Sequence, residues 1–427
     1  MMTKFNKTLL AMAVTLASTQ TMAAGFQLNS QSATGIGRAM AGDAIIADNA
    51  SVLARNPAAM ALFDETAISV GMTYADINVE VSDVQYDTIL GGTNHLGSLD
   101  NAAENKVIPN FYYINPVNDK IAFGFAAFSN YGTGTDLGEL NNNQDFNTPI
   151  DLLGNTEVVT INLNASMSYR INDSLSLGLG LDIIQGSGTL TRSGDLTLAP
   201  GMDPIALNLV DVDADGWAVG GIIGLAYEIN ENHRFGFSYR FSPEMKASGD
   251  ISYNANPLTP AENFDEIEIP MADIAQFAGF HQLTEKFAVH YTAQWTQWST
   301  FDHIGLVDGD AGSSEAILKE YNWKDSWFLS FGATYDINEN WTVRAGIAND
   351  QGVVGEVSSL SIPDSDRIWY SAGFTYNINQ NSSLDFGYTL VDGEKVHVLE
   401  QSALVGQVSA YTESGANYFS LQYNYNF

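Results

Sequence analysis

The chain has 427 residues and a formal net charge of −33, from 50 acidic and 17 basic residues, and it contains no cysteine. Such an acidic composition argues against nucleic acid as a partner, because nucleic-acid binding needs a basic surface. The mean hydropathy of −0.06 excludes a protein that crosses a membrane with helices, and a secreted form without cysteine would have no disulfide bonds to stabilise it.

The first element, residues 1–23, is interpreted as a secretory signal peptide. Lys4 and Lys7 form a basic start, residues 9–17 are mostly apolar, and residues 21–23 (Thr-Met-Ala) offer a small-residue cleavage site. The apolar run is too short to span a bilayer as a helix. Cleavage after this site would start the mature chain at Ala24.

The second element, residues 24–65, lacks the alternation of a β-strand. From Ser30 to Met60 it is rich in Ala, Gly, Ser and Asn and poor in β-branched and aromatic residues. We therefore expect short helices and turns, which would fill the lumen of the barrel predicted below as a plug. The alternative is a disordered periplasmic extension, against which apolar residues such as Ile36 and Leu53 argue.

From residue 66 to residue 427, alternating segments are joined by six similar polar turns. These turns lie at residues 116–119, 171–174, 229–232, 283–286, 337–340 and 378–381. Asn and Asp suit tight turns because they tolerate positive φ and bond their own backbone. A spanning strand needs only ~9–11 residues, so each interval between turns holds two strands and a long outer loop. With one strand beginning near Ala67 and a last one at 410–427, the pattern predicts 14 antiparallel strands.

The last predicted strand shows the alternation most clearly. Apolar residues occupy one face and Ser, Gln and Asn the other; the apolar set is Phe419, Leu421, Tyr423, Tyr425 and Phe427. Such an aromatic-rich strand is typical of outer-membrane barrels, in which the apolar face meets lipid, and it resembles the signal read by the barrel insertion machinery. We therefore predict an all-β transmembrane barrel (residues 66–427) in the outer membrane of a Gram-negative cell, with a mostly helical N-terminal plug, or hatch (residues 24–65).

The third predicted strand does not keep one regular alternation of apolar and polar faces along its length. Ile121, Phe123 and Phe125 share one face, but Phe128 falls on the other, beside residues 129–132 (Ser-Asn-Tyr-Gly). A β-bulge or kink shifts the phase in this way, although bulges also serve simply to shape barrels.

Two long outer loops are not uniformly polar. Their apolar residues include Leu137, Leu140 and Phe146 after the third strand, and Leu198 and Met202 after the fifth. Such residues either capture hydrophobic ligands or pack a small core of the loop itself, and the two roles are compatible.

An ordered set of short motifs resembles the FadL family of outer-membrane transporters of long-chain fatty acids and other hydrophobic compounds. The motifs are Ala-Gly-Phe-Gln-Leu-Asn at 24–29, Gly-Ile-Gly-Arg-Ala at 35–39, Arg-Asn-Pro-Ala at 55–58, Pro-Val-Asn-Asp-Lys at 116–120, Ser-Asn-Tyr-Gly at 129–132, Trp-Ser at 298–299 and Ile-Pro-Asp-Ser-Asp-Arg at 362–367. Together with the C-terminal strand, they extend the resemblance over the full mature length.

The resemblance implies passive uptake in three stages: capture at the outer loops, binding inside the barrel, and sideways release through a gap at the kinked third strand. Ser129 and Gly132 would form the edge of that gap, and Phe26 would belong to the plug and gate with residues 56–58 (Asn56, Pro57, Ala58). A buried methylene is worth ~0.8 kcal/mol, so membrane is a better destination for an acyl chain than a water-filled channel.

Residues 56–58 are expected to lie against the inside of the kinked strand. Pro57 offers no N–H that would remain unpaired there, and the Asn56 amide could satisfy backbone groups that the kink frees. Ala58 is small enough to leave a passage open.

Two basic residues are predicted to point into the barrel, because they fall on the inward face of their alternating segments. Lys324 shares the parity of Ser326 and Ser330, and Arg192 is inward unless Gly186 or Gly188 shifts the register. The resemblance assigns both to the ligand head group, and a cation suits a carboxylate. The alternative is that they pair with acidic residues of the lumen.

No motif indicates an enzyme, a cofactor or a metal. Asp211, Asp213 and Asp215 imitate the start of a calcium loop, but residue 222 is Ile where the bidentate Glu should be, and the six His residues show no metal spacing. Three rival functions stay open: uptake of aromatic hydrocarbons by the same fold, a general porin or structural barrel, and an outer-membrane phospholipase. We expect a monomer surrounded by outer-membrane lipid and lipopolysaccharide.

Overall fold

The computed structural model describes residues 25–87, 91–142, 148–197, 202–256, 259–310, 312, 315–355 and 357–427. The predicted signal peptide lies outside these residues. The helical elements are α1 (Ala33–Ile36) and four 3₁₀ helices, Ala50–Ala54, Pro57–Leu62, Gly138–Asn142 and Trp298–Thr300. In the described part of the chain, no helix has the length and apolar character needed to cross a membrane.

The strands follow one another along the chain with few helical interruptions. They are β1 (Ala67–Asp87), β2 (Thr93–Leu99), β3 (Lys106–Asn118), β4 (Ile121–Phe128), β5 (Gly132–Asp136), β6 (Asn155–Asn172), β7 (Leu175–Leu196), β8 (Ile205–Asn230), β9 (His233–Phe241), β10 (Glu244–Tyr253), β11 (Glu262–Pro270), β12 (Ile274–Thr284), β13 (Phe287–Thr296), β14 (His303–Gly309), β15 (Glu315–Glu320), β16 (Ser326–Asn338), β17 (Trp341–Asp350), β18 (Arg367–Asn377), β19 (Ser382–Gly393), β20 (Val396–Ser402) and β21 (Gly406–Asn426).

These strands form one closed antiparallel sheet, because β1 pairs with β3 on one side and with β21 on the other. Fourteen spans make up the wall. Five spans are interrupted and consist of two strands each (β4 with β5, β9 with β10, β11 with β12, β13 with β14, β15 with β16), while β2 and β20 belong to outer loops. The predicted barrel of 14 antiparallel strands is confirmed.

An apolar band surrounds one part of the barrel. On β7, Leu177, Leu179, Leu181 and Ile183 point outward and are 41% to 58% exposed. The same face continues with polar residues from Gln185 onward, so the band ends at Ile183 and the strand extends beyond it. Alternation of apolar outward and polar inward residues is the pattern of a membrane barrel. The part of each strand past the band lies outside the apolar layer of the membrane.

The six predicted polar turns all join consecutive spans at one end of the barrel, which we call the short-turn end. In several of them an Asn caps the turn; Asn118 Oδ1, for example, accepts hydrogen bonds from the backbone N–H of Lys120 (2.9 Å) and Ile121 (3.1 Å). The same arrangement recurs at Asn172 and Asn338. Self-bonding Asn turns therefore fix the strand register at this end.

The third span is interrupted at the predicted position. Strand β4 ends at Phe128, which pairs with Asn162, and β5 begins at Gly132, which pairs with Val159. Between these two pairs the third span advances by four residues, whereas β6 advances by three. The extra residue in the third span forms a β-bulge. On the other edge, the register of β3 with β4 ends at Phe111 opposite Ala127.

Beyond that pair, the wall between β3 and β5 has no ladder in the described residues until the backbone N–H of Asp136 donates to the Ala102 carbonyl (2.8 Å). Residues 106–110 of β3 register with β1 on their far side. We call the stretch between these two closures the wall gap.

Candidate functional site

The N-terminal segment, residues 25–62, is almost wholly buried and is hydrogen-bonded to inward-facing side chains of the wall. Thr389 donates to the Ile36 carbonyl (2.7 Å), and the Gly42 N–H donates to Thr292 Oγ1 (2.9 Å). The segment also carries its own charge pairs, since Arg38 contacts Asp43 (2.8 Å) and Asp48 (2.7 Å). Its contacts with strands on opposite sides of the barrel place it inside the lumen.

Residues 56–58 make their hydrogen bonds and nearest backbone contacts away from the predicted kink, although the 3₁₀ helix that begins at Pro57 also contacts β4 of the third span. The Asn56 amide donates to the carbonyls of Ala44 (2.8 Å) and Leu225 (3.0 Å), and its Oδ1 accepts from the Ala58 N–H (3.0 Å). A Cβ on Gly178 of β7 would overlap the Ala58 backbone. The triplet therefore docks on β7 and β8. Asn56 caps the 3₁₀ helix that Pro57 begins, a local role that Asn and Pro commonly take together.

A more N-terminal stretch contacts the kink instead. The Leu28 N–H donates to the Asn130 carbonyl (2.7 Å), and the Gly132 N–H donates to the Phe26 carbonyl (2.8 Å). The Gln31 side chain adds a hydrogen bond to the Ser129 carbonyl (3.0 Å). Backbone groups that the bulge frees are thus satisfied by an added strand-like segment. Phe26, Ser129 and Gly132, which the sequence analysis assigned to gate and gap, lie at one place.

Phe26 is held in an aromatic cluster. Its ring lies 4.7 Å from Trp298, 5.1 Å from Phe301, and 5.8 Å from both Tyr131 and Trp323, measured between ring centroids. Offset and edge-on ring pairs of this kind stabilise beyond the area that they bury. Gly25 precedes it with φ +61°, where a Cβ would meet the indoles of Trp298 and Trp323. The first described residues are therefore tightly packed.

An apolar cavity, which we call the inner cavity, lies beside this cluster. Its free volume is about 40 Å³, so the cavity is narrow in this structure. Its wall is mainly aliphatic and thioether side chains, with Phe26 and Phe301 on one side; the other members include Val158, Leu190, Val212, Met245, Ile267, Met271 and Ile304. The chemistry of this lining matches an apolar chain, and such a ligand would have to widen the cavity.

Arg192 lies next to the inner cavity, with inward parity as predicted. The bulge in β7 falls after it, between Arg192 and Ser193, so the parity of the strand holds up to this residue. Its guanidinium donates to Thr156 Oγ1 (2.7 Å) and to the carbonyls of Asn155 (2.7 Å) and Thr191 (2.8 Å), and Thr156 itself lines the cavity. Arg192 lies past the apolar band. Burial lowers its pKa to about 10, which leaves it charged at neutral pH.

Lys324 is exposed to solvent and is not among the described residues that line the inner cavity, so its predicted inward head-group position is not found. It lies in the irregular connection between β15 and β16, where Asn322 has φ +49° and the strand phase of Ser326 does not continue. Its backbone N–H donates to the Val353 carbonyl (2.9 Å), while its side chain projects to solvent.

Lys319 is the lysine that the sequence analysis missed. It lies on β15 past the apolar band, forms an ion pair with Glu400, and has its Nζ 5.5 Å from the centre of the Tyr321 ring. Burial and the nearby charge of Arg192 lower the pKa of Lys319 to about 7, and the charge of Asp151 acts against both. No periodic signal marks this residue, because Lys319 pairs with Ile304 while Ile317 pairs with Gly305, so a bulge at Leu318 breaks the alternation.

Lys319 and Glu400 line a second space, the outer groove, which lies between the outer loops and hairpins and encloses about 1260 Å³ including open solvent. Five leucines contribute to it: Leu152, Leu209, Leu318, Leu399 and Leu404.

The predicted capture residues lie elsewhere. Leu137 and Leu140 are buried in a loop core with Leu152 and Leu153, as the loop-core alternative expects, and they are not among the described residues that line the outer groove. Met202 is 54% exposed, on a separate and mostly polar pocket. Phe146 and Leu198 lie outside the described residues. Among the residues that the structure does describe, no group of three or more His, Cys, Asp or Glu is placed to hold a metal ion.

Comparison with known proteins gives the same result from sequence and from structure. Residues 14–427 match the family described as outer membrane protein transport protein (OMPP1/FadL/TodX). The long-chain fatty acid transport protein of Escherichia coli O6:H1 is 32% identical, with all of this chain and 99% of that protein covered. Outer membrane protein P1 of Haemophilus influenzae is 33% identical over the whole of both chains.

Among solved structures, a Pseudomonas aeruginosa FadL homologue superimposes with a TM-score of 0.80 at 25% identity, covering 95% of this chain and 100% of that one. The Pseudomonas putida toluene transporter TodX shares the fold, with a TM-score of 0.67 at 18% identity and the same coverage. The chain therefore belongs to the OMPP1/FadL/TodX family of outer-membrane transport proteins of Gram-negative bacteria.

Proposed function

We propose that this protein imports long-chain fatty acids across the outer membrane without an energy source. The observation that carries the proposal is the apolar inner cavity with the charged guanidinium of Arg192 at its edge. An acyl chain gains from the aliphatic wall, while a carboxylate needs the cation. The relatives named as fatty acid transport proteins, which match over their whole length, support the same substrate class.

The N-terminal segment would act as the plug of this channel. Its buried contacts with β7, β8, β13 and β19 support a filled lumen, in contrast to the open lumen of a general porin. The proposed organisation is a signal peptide at residues 1–23, a plug at 24–65 and a barrel at 66–427. In this organisation the plug and gate contain Phe26 and residues 56–58.

Ligand would pass from the outer groove to the inner cavity and leave sideways through the wall gap. Support comes from the missing ladder between β3 and β5 and from the attachment of Phe26 to Gly132 at its edge. Phe26 also lines the inner cavity, so a ligand there contacts the same residue that is bonded to the gap. Movement of Phe26 would then loosen the hydrogen bonds at the kink.

The second candidate is uptake of aromatic hydrocarbons, which the shared fold of the toluene transporter leaves open. Arg192 and Lys319 favour a carboxylate over a neutral ring. A third possibility is a general porin. We propose no enzymatic role, since the relatives are transport proteins, and we expect a monomer in contact with outer-membrane lipid and lipopolysaccharide after insertion by the barrel machinery.

Competition between labelled oleate and toluene tests the proposal. Cells that lack their own fatty acid transporter, with and without this protein, are given each compound alone and both together. We expect uptake of oleate that depends on the protein, together with low ionic conductance of the reconstituted barrel. Uptake of toluene without oleate would refute the fatty-acid proposal, and a steady high conductance would support a porin.

A further inference from the structure

The outer groove contains one cation among its described lining residues, and that cation is already paired. Lys319 projects into a groove whose other members are mostly aliphatic, polar or acidic. Its ammonium is matched to one carboxylate oxygen of Glu400. The two side chains are 20% and 6% exposed, so the pair is largely removed from water.

Glu400 is held in place by a second contact. Its Oε2 accepts a hydrogen bond from the backbone N–H of Leu360 (2.6 Å), which leaves Oε1 for Lys319. Glu400 lies on β20 and Lys319 on β15, so two separate hairpins bring the charges together. The neighbouring acid Asp151 is engaged by Ser402 Oγ (2.6 Å) and the Ala403 N–H (2.6 Å) and does not contact Lys319.

The pair has a consequence for any carboxylate that enters the groove. The oxygen of Glu400 and the oxygen of a fatty acid head group have the same charge and the same preference for an ammonium. The two carboxylates cannot both contact the Lys319 ammonium without repelling each other, because the site is partly shielded from water. A neutral head group has no such conflict, because it leaves the existing pair intact.

We propose that Glu400 is a built-in competitor for the fatty acid carboxylate, which takes the place of Glu400 at Lys319 when a ligand enters the outer groove. The inference rests on the proposed function. Displaced Glu400 keeps its hydrogen bond to Leu360, so the exchange requires only a local movement. Competition weakens capture and thereby lets the ligand move on toward Arg192, whose charge is close enough to influence Lys319.

The test compares oleate with oleyl alcohol, which has the same chain and a neutral head group. Binding is measured by calorimetry on purified barrels in nanodiscs, after heat-modifiable migration on a gel shows that each variant is folded. We expect Glu400→Gln to tighten oleate binding about tenfold, the scale of one desolvated charge contact. Gln keeps an acceptor for Leu360, so the hairpin is preserved. Binding of oleyl alcohol should change less than about twofold.

Four further variants define the mechanism. Lys319→Met should weaken oleate binding, and adding Glu400→Gln to it should bring no recovery, because Glu400 acts through Lys319. Glu315→Gln is the matched control: it removes an exposed acid from β15 outside the groove and should leave both ligands unaffected. If Glu400→Gln does not fold, Glu400→Asp withdraws the carboxylate by one methylene and should tighten oleate binding to a smaller extent.

Unchanged or weaker oleate binding by the Glu400 variants would overturn the inference. Equal tightening of oleate and oleyl alcohol would overturn it too, since that result indicates a more open groove rather than a lost competitor. Failure of the wild-type protein to bind oleate at all would refute the proposed function, and the wild-type measurement alone reveals that outcome.

Discussion

Replacing Arg192 by Gln removes one charge from the edge of the inner cavity. The described hydrogen bonds of Arg192 occupy three of its five N–H donors, two on carbonyls and one on Thr156. Its remaining donors are what a carboxylate head group would bind. A hydrogen bond to a charged partner is worth about 1.5–3 kcal/mol, so Arg192→Gln should weaken oleate binding about 10-fold to 150-fold.

The same change affects stability less than binding. Gln can replace one of the lost hydrogen bonds to the carbonyls of Asn155 and Thr191, and each group left unsatisfied costs about 1–3 kcal/mol. The closed ladder of the barrel is untouched, so we expect a normally folded protein with a modestly lower melting temperature.

Equilibrium binding of oleate and of toluene to purified protein measures the effect. Toluene has no charge to satisfy, so its affinity should be unchanged. The control is Lys324→Gln, which removes the same charge from an exposed side chain. Our reasoning fails if Arg192→Gln binds oleate as the wild type does, or if Lys324→Gln weakens it as much.

Three other outcomes test the plug and the wall gap. Gly178→Ala should raise the ionic conductance of reconstituted barrels, because its Cβ overlaps the docked Ala58 backbone, whereas Gly305→Ala, with its nearest neighbour 3.6 Å away, should not. Gly132→Trp should retain oleate binding but block uptake; uptake at the wild-type rate would rule out release through the gap. Deletion of residues 56–58 should impair transport more than binding measured at the outer groove, and equal losses of both would contradict a gating role.

The membrane-facing surface and the strand number could be predicted because they rest on a local rule. Outward parity on β7 puts Leu177 to Ile183 in contact with lipid, and no knowledge of distant residues is needed to see it. The polar turns are local in the same sense, since an Asn such as Asn118 bonds its own backbone. With an even number of spans, β1 and β21 run antiparallel and can pair to close the barrel.

The alternation of inward and outward residues gave wrong predictions where the strands are interrupted. Arg192 was placed correctly because the β7 bulge follows it, whereas Lys324 lies in an irregular connection across which parity carries no information. Lys319 is hidden by a bulge at Leu318. A single unpaired residue reverses the face of everything that follows, and single-sequence alternation does not locate it when the flanking residues are of mixed character.

Contacts between distant segments could not be predicted from the sequence, for a different reason. The Asn56 side chain can bond to unpaired backbone groups wherever they lie. In the structure its amide caps the following 3₁₀ helix, so it uses for the cap the group that was predicted to bond at the kink. Leu137 and Leu140 carry no mark that separates a buried loop leucine from a capturing one. In both cases the side-chain chemistry was correctly identified, and the partner was decided by packing.

The acids on the outer face of the barrel do not oppose an anionic ligand, because they face away from the relevant cations. On β8, Asp211, Asp213 and Asp215 point outward past the apolar band, on the face opposite the lumen. Charges on an exposed surface are screened over about 8 Å at physiological ionic strength, whereas the buried ammonium of Lys319 and the guanidinium of Arg192 act at contact distance on whatever fills the groove and cavity. On the proposed function, Arg192 and Lys319 rather than the net charge would select the head group.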